Sequence, residues 1–528
     1  MKRNIFLLVA LFVSVYSFGQ GEIDAYRISR NDLSGTARGQ AMGSAFGALG
    51  GDATGIAINP AGIGIYRSSE ILLNIAMNYK HTNALFNGTE TNKGNTNFTC
   101  DNFGYVGTFP LDSKTGDYSI NFGFNYNRLK NFTGNYQVSG SGMGTSLTDY
   151  IADITTLQNV PLSWWPNTSN EAFQTNNRPH WLSILGWYSY LMDPASEANN
   201  ETNYTSILGN GEKVNPNLTV QENGSIGAYD FTLGANLNNK IYIGGSFVYT
   251  DIDYRADITY SEDFEKGGGF DFSNGYNTQG SGIQLKVGVI ARPTDALRLG
   301  VSYHSPTWYN LTDYYSGILT PFGITTNDVP IYTPSGNGDD YHKYNFRTPY
   351  LWTVSAAYII GQAAVISVDY EYKDYRKMTF SPRYVNDYDY GNENQYIKED
   401  FRGTSTIRVG AELRFSPQFS GRLGTAWMQH PYESGFKSVE REVMTPGTIT
   451  NFKIDGNTLF YTGGVGFRFT PQFYMDLALV YRTQKRTQED ELYFFSPTFE
   501  GSNRYVDSTP AKLKNNSINT LLTLGYKF

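Results

Sequence analysis

Apolar side chains recur at every second position over long stretches of this chain. Tyr118, Ile120, Phe122, Phe124 and Tyr126 alternate with Ser119, Asn121, Gly123, Asn125 and Asn127. The same rhythm returns in Tyr229, Phe231, Leu233, Ala235, Leu237, in Ile283, Leu285, Val287, Val289 and in Leu297, Leu299, Val301, Tyr303. Late in the chain it reappears in Ile407, Val409, Ala411, Leu413, Phe415 and in Phe473, Met475, Leu477, Leu479, Tyr481. A strand sends successive side chains to opposite faces, so this pattern predicts strands with one apolar and one polar side. Several runs reach the nine or so residues that a tilted strand needs to cross a bilayer. Ordinary soluble strands are shorter.

Fourteen such segments are expected, at 70–80, 102–110, 118–130, 226–237, 241–255, 279–292, 296–309, 347–359, 363–375, 403–416, 419–430, 457–469, 473–485 and 515–528. The links between them alternate between short and long. Asn238-Asn239-Lys240, Pro293-Thr294-Asp295, Ile360-Gly361-Gln362, Pro417-Gln418 and Thr470-Pro471-Gln472 are short, whereas the largest link runs from Asn131 to Ser225. Outer-membrane barrels sort their connections in this way, with tight periplasmic turns and longer external loops. The expected fold is therefore all-β and transmembrane: a 14-stranded antiparallel outer-membrane β-barrel, residues 70–528, whose largest loop is partly helical. In that loop Leu147, Ile151, Ile154 and Leu157 share one helical face, and Pro179 opens a second helix.

Both ends agree with export. Met1, Lys2 and Arg3 precede an apolar run from Ile5 to Val15 and then Ser17, Phe18 and Gly19, the layout of a signal peptide over residues 1–19. That run is too short to span a bilayer, and the mean hydropathy of −0.40 is what a barrel wall with one polar face produces. Ile518, Thr520, Leu522, Leu524, Tyr526 and Phe528 close the chain in alternation. A Gram-negative outer-membrane location follows.

Composition narrows the function. Tyr (41), Phe (33) and Gly (55) are abundant, as aromatic girdles and curved strands require. Cys100 stands alone, which excludes an intrachain disulfide. A net charge of −8 without a basic stripe argues against nucleic acid. Acidic residues cluster at Asp253–Glu265, Asp387–Asp400 and Glu489–Glu491, read as solvated loops. No Gly-x-Ser-x-Gly elbow or His-Glu-x-x-His motif occurs, and the five histidines lack ligand spacing. An enzyme, a metal centre and a cofactor are not expected. His304 with Ser302 or Ser305 is too generic a pair to make a hydrolase.

Two groups of residues remain as binding candidates. Charges at the inward parity, Arg298, Arg408, Glu412 and Arg468 with Arg414, Arg422, Asp476 and Arg482, would cost roughly 2–4 kcal/mol each for Arg at mid-membrane on the lipid side. They should line the lumen, either pairing across it or orienting an amphiphile's carboxylate. Trp164, Trp165, Trp181 and Trp187 lie in the long loop, where apolar aromatics either pack as a cap or form a capture groove.

Residues 20–69 precede the first strand and are dense in small residues, with Gly35, Gly39, Gly43, Gly47, Gly50, Gly51 and Gly55 before Asn59-Pro60-Ala61-Gly62. Small side chains let a segment pack backbone-close against walls, so a plug inside the barrel is expected. Asp52-Ala53-Thr54-Gly55-Ile56-Ala57-Ile58-Asn59-Pro60-Ala61-Gly62 resembles the N-terminal hatch of FadL-type long-chain fatty-acid and hydrophobic-compound transporters. Leu297–Pro306, Thr348-Pro349-Tyr350-Leu351-Trp352, and Asp369, Tyr370 and Tyr372 are similar to strand motifs of that family. The resemblance implies fourteen strands, a hatch whose position is set by Asn59, Pro60, Ala61 and Gly62, and passive transport of a hydrophobic or amphipathic, fatty-acid-like ligand from the lipid-bounded surface. Related barrels serve larger outer-membrane machines. The alternative expectation is therefore a structural or docking subunit, with other outer-membrane proteins or surface lipoproteins as partners.

Overall fold

The computed structural model describes residues 21–111, 117–175, 178–324, 328–330, 339–384, 388–433, 436, 443–445, 448–484, 490–498 and 506–528. The expected signal segment lies outside them. Fourteen antiparallel strands form one closed wall: β1 (Glu70–Phe86), β2 (Thr89–Leu111), β3 (Tyr118–Asn131), β4 (Val214–Leu237), β5 (Ile241–Phe264), β6 (Gly269–Ala291), β7 (Leu297–His304 continued by Trp308–Phe322), β8 (Asp339–Arg347 continued by Leu351–Ile360), β9 (Ala364–Asp374 continued by Thr379–Pro382), β10 (Gly403–Arg414), β11 (Phe419–Met428), β12 (Thr458–Arg468), β13 (Phe473–Gln484) and β14 (Ala511–Lys527). Each pairs with the next, and β1 closes on β14 from Glu70↔Lys527 to Leu85↔Lys512. No free edge remains in the wall, which is what allows a sheet to sit in lipid.

The outward parity carries Ile71, Leu73, Ile75 and Met77 on β1, Phe231 and Leu233 on β4, and Ile283 to Val289 on β6, all exposed. The inward parity carries Asn74 and Asn78, Asn121, Asn125 and Asn127, and Ser246 and Thr250, all buried. On β5 this polarity reverses partway up. Ile241, Ile243, Phe247 and Tyr249 face outward, but the same face continues as Asp253, Arg255, Asp257 and Asp263. The inward face meanwhile changes from Tyr242, Ser246 and Thr250 to Ile252, Tyr254, Ala256, Ile258 and Tyr260. The outer membrane boundary therefore falls near Tyr249. Above it water lies outside and the apolar core lies within.

This reversal corrects several expectations. Residues 81–86, 89–101, 214–225, 256–264 and 269–278, expected as external loop, are strand. Asp253 to Phe264, read as acidic loop, is the wet end of β5. The acidic stretch before Asp400 contains a helix, Gly391–Asp400, and Glu491 lies in a short strand, Asp490–Tyr493; residues 385–387 and 485–489 lie outside the described residues. Loop composition and the outer half of a long strand look alike, because both present charge to water.

Three neighbouring strands break at one level. β7 is interrupted at Ser305-Pro306-Thr307, β8 at Thr348-Pro349-Tyr350, and β9 by a 3-10 turn at Tyr375–Lys377. Proline lacks the N–H that a ladder needs, which accounts for the first two. His304↔Leu351 and Trp308↔Arg347 bracket the gap. Among the described residues, only the hydrogen bonds Thr348 N to Thr307 O (3.1 Å) and Thr307 N to Thr348 Oγ1 (2.8 Å) tie β7 to β8 across it.

The long segment between β3 and β4 folds over the extracellular mouth. Its helices are α4 (Leu147–Leu157), α5 (Ser169–Gln174) and α6 (Trp181–Tyr188). Glu262 of β5 accepts Leu147 N at 2.9 Å and also bonds the Ser146 hydroxyl, so a carboxylate sits at the N-terminus of α4. Leu147, Ile151, Leu182, Leu185 and Tyr260, with Phe270, Phe494 and Phe495, belong to one buried apolar cluster.

Candidate functional site

The lumen holds the N-terminal segment: α1 (Glu22–Ser29), α2 (Ala37–Ala41), α3 (Ala53–Ile58) and a 3-10 turn, Pro60–Ile65. Strands all round the wall hold it by its backbone. Thr523 of β14 accepts Ala37 N at 2.8 Å, and Thr462 of β12 accepts Gly43 N at 3.0 Å. Asp369 of β9 accepts Gly47 N at 3.0 Å, and Lys286 of β6 donates to Ala57 O at 3.2 Å. Ser302 of β7 donates to Ile58 O at 2.8 Å, and His304 Nε2 lies 2.9 Å from the same oxygen. The Ser302–His304 pair is thus occupied with a plug carbonyl.

Asn59 makes the turn that ends this segment. Its Oδ1 accepts Ala61 N at 3.1 Å, and its Nδ2 donates to Gly47 O at 2.8 Å. Pro60 follows at the first position of the 3-10 turn, where a missing N–H costs nothing. Gly62 O accepts Gly51 N at 3.1 Å, which brings the two halves of the segment together. Ala61 and Gly62 are buried. The wall accommodates this backbone with its own glycines: a Cβ on Gly288 would lie 1.9 Å from Asn59 Oδ1, and one on Gly244 2.3 Å from Pro60 O.

The inward charges divide by task. Arg298 donates to Leu49 O at 2.6 Å and so grips the plug. Arg408 pairs with Glu371 on the neighbouring strand. Glu412 receives Arg38 of the plug at 2.9 Å and Arg422 at 2.6 Å, and Arg422 reaches Asp476 at 2.6 Å. This chain of ion pairs borders a cavity of about 160 Å³ at the periplasmic end, where Arg468 is exposed to solvent.

Above the plug lies a chamber of about 240 Å³. Arg27, Arg30, Lys80, Lys130, Lys453 and Arg482 line it against Asp32, Glu222 and Asp455. Arg482 stood among the sequence candidates; the others were not selected, because they come from α1, the loop after it and five separate strands or loops that only the closed barrel brings together. Arg30 bonds Asp455 at 2.5 Å and Thr458 at 2.9 Å. Arg27 pairs with Asp24 at 2.8 Å and lies 4.5 Å from the Tyr254 ring centre. Asp24 accepts from Tyr276 at 3.2 Å, yet burial outweighs these partners and raises its carboxyl above the ordinary value. A further cavity, about 140 Å³, lies between the plug and the breaks, lined by Thr307, Thr348, Pro349 and Tyr375.

In the cap, Trp165 and Trp187 stack with centres 4.9 Å apart, Trp164 meets Trp165 edge-on at 5.2 Å, and Trp165 Nε1 donates to Tyr204 at 2.8 Å. Trp181 points elsewhere, toward Phe272 of β6 at 5.8 Å. Three of the four tryptophans therefore form one half-buried surface cluster. Among the described residues no group of His, Cys, Asp and Glu is arranged to hold a metal.

No protein-family model and no curated protein matches this chain. Solved structures do. A FadL homologue of Pseudomonas aeruginosa matches over 94% of this chain and 99% of its own length, with a TM-score of 0.50 and 12% identity. The toluene transporter TodX of Pseudomonas putida matches over 94% and 99% with 0.47 and 11%. For the toluene transporter TbuX of Ralstonia pickettii the values are 93%, 98%, 0.44 and 12%. The fold is therefore that of a closed outer-membrane barrel. More narrowly, it is a FadL-type 14-stranded barrel.

Proposed function

We propose that this protein is a passive outer-membrane conduit for hydrophobic or amphipathic small molecules, and not an enzyme. The observation that carries the reading is the plug. It consists of helices of five to eight residues, held by side chains of many strands to its backbone and by several small, separate apolar clusters shared with the wall. A segment held by many separate contacts opens locally at less cost than the continuous wall around it. Residues 20–69 act as a hatch, and Asn59, Pro60, Ala61 and Gly62 set its resting position. The half-buried Trp164–Trp165–Trp187 cluster is the surface on which an apolar ligand first lands. The similarity of the fold to that of a FadL homologue supports this reading.

Deleting residues 34–62 tests it. The strands close without this segment, so the barrel should still assemble and remain heat-modifiable on a gel. Uptake of an apolar fluorescent probe should change, and small polar solutes should leak. If the deleted barrel assembles and no solute's permeation changes, the conduit reading fails and a scaffold within a larger assembly replaces it. Gentle purification would then recover a stoichiometric protein partner.

A further inference from the structure

Two carboxylates are buried together where the plug meets the wall. Asp24 of α1 and Asp313 of β7 are both fully buried, and the hydroxyls of Tyr276 on β6 and Tyr344 on β8 stand between them. Tyr276 points its hydroxyl at Asp24 Oδ2 (3.2 Å) and at Asp313 Oδ2 (2.8 Å). Tyr344 does the same toward Asp24 Oδ2 (3.5 Å) and Asp313 Oδ1 (3.2 Å). These four residues border none of the three cavities described above. Tyr276 pairs with Ala256, beyond Tyr249 on β5, so the group lies above the membrane boundary.

Counting hydrogens decides the charge state of this group. Each phenol carries one hydrogen at any pH below about 10. Four oxygen–oxygen contacts therefore share two hydrogens, and two contacts set lone pair against lone pair. A proton on either carboxyl turns a third contact into a hydrogen bond. It also removes one of two like charges from a dry site, where neighbouring carboxylates raise each other's affinity for a proton. Arg27 holds the other oxygen of Asp24, Oδ1, at 2.8 Å. Burial nevertheless outweighs Arg27 and both hydroxyls and lifts the Asp24 carboxyl above its ordinary value. Of the other ionisable groups nearby, Tyr254 of β5 faces Arg27, and Glu22 is turned to Met444 N at 3.1 Å. His342 of β8 stands opposite Asp313 in the register, stacks on Tyr344 at 6.1 Å and contacts the Tyr390 hydroxyl.

We propose that Asp24 and Asp313 form a proton-binding site, one hydrogen shared across the two tyrosines, that latches the first helix of the plug to β6, β7 and β8. The inference goes beyond the conduit reading and stands whether or not anything crosses the lumen. With the proton bound, α1 is tied to three adjacent strands. With it gone, two charges face each other and α1 is pushed from the wall. A released Asp24 in water titrates near the ordinary value of about 4, whereas the latched pair keeps its proton to higher pH. The latched state thus binds more protons than the released one. Its advantage is full below about pH 4, declines as pH rises toward the raised value, and is smallest above it.

A nitroxide on Ile23→Cys, half-buried beside Asp24, reports the motion of α1 in the full chain in detergent, in a Cys100→Ser background. Between about pH 4 and about pH 9 its mobile fraction should rise about threefold or more. Asp24→Asn and Asp313→Asn replace the shared proton by an amide donor, and in both the label should stay immobile throughout. Tyr276→Phe takes a donor from the ionised pair and should move the midpoint to higher pH. His342→Gln should leave a transition in place. A flat wild-type titration, an Asp313→Asn titration like that of wild type, or loss of the transition in His342→Gln overturns the proposal. So does a label immobilised at alkaline pH by sodium or calcium, which would make the pair a metal-ion site. Should either asparagine variant lose heat-modifiability, Tyr276→Phe decides: a midpoint unmoved or lowered overturns the latch.

Discussion

Gly288 and Asn59 meet so closely that one methyl group decides whether they can coexist. Gly288→Ala should force the Asn59 side chain out of its turn at a cost of about 1–3 kcal/mol, typical of overpacking. The barrel should still assemble, and limited proteolysis should cut the N-terminal segment sooner than in wild type. His180 offers a residue-scale test in water. It caps α6 by accepting Leu182 N at Nδ1 (3.2 Å), and burial together with Arg178 pushes its pKa down to about 3. A histidine depressed in the folded state contributes stability above its unfolded pKa near 6.5, lost as pH falls toward 3. Tryptophan fluorescence of the cap should therefore change on acidification across that window. His180→Asn, which keeps a capping acceptor, should flatten the change. Asn-Pro-Ala-Gly was legible in the sequence as a constrained turn, because those residue types restrict the backbone locally. Gly288, one of 55 glycines, was not, because what it makes room for lies 229 positions away by number.

At the level of elements, the breaks in β7, β8 and β9 are where the wall is least bonded. Ligand leaving sideways would pass here, beside the 140 Å³ cavity. In a Cys100→Ser background, Thr307→Cys with Thr348→Cys should form a disulfide across the gap, since these residues already bond each other. Oxidation should then lower apolar probe uptake and a reductant should restore it; equal uptake in both states would place the exit elsewhere. Pro306 and Pro349 were visible beforehand, yet a single proline reads only as a strand end. That the gaps coincide depends on register, which His304↔Leu351 and Trp308↔Arg347 set. The outer half of β5 teaches the reverse lesson. Its alternation from Asp251 to Phe264 was present in the sequence all along, but with apolar and polar faces exchanged, and high charge disguised a strand as a loop.

For the molecule as a whole, the cap folds over the upper end, and the chain Arg38–Glu412–Arg422–Asp476 ties the plug to the wall at the lower end. Breaking a buried pair by removing one partner leaves an uncompensated charge. Glu412→Gln strands Arg38 and leaves Arg422 with Asp476 alone, and a loss on the order of 1–3 kcal/mol is expected, below the fully buried range because Arg38 is partly exposed. A lower temperature for the gel shift and more frequent conductance events in planar bilayers should follow. Conductance identical to wild type would mean that this chain of charges ties the wall together without holding the plug.

The sequence by itself determined the strand count, the in–out orientation of each strand and the existence of a small-residue segment ahead of the wall. These are local or periodic properties, written within a dozen residues of one another, and the bilayer makes the period strict by penalising polar groups on one face. Only the tertiary structure decided what the inward charges do. Arg298, Arg408 and Glu412 share a parity with Arg482, yet the first three have hydrogen-bond or ion-pair partners while Arg482 has none among the described residues. Whether a lumen charge is satisfied depends on which strand stands opposite and on where a plug residue such as Asp32 comes to rest. Closure of the barrel sets both, and no stretch of sequence contains them.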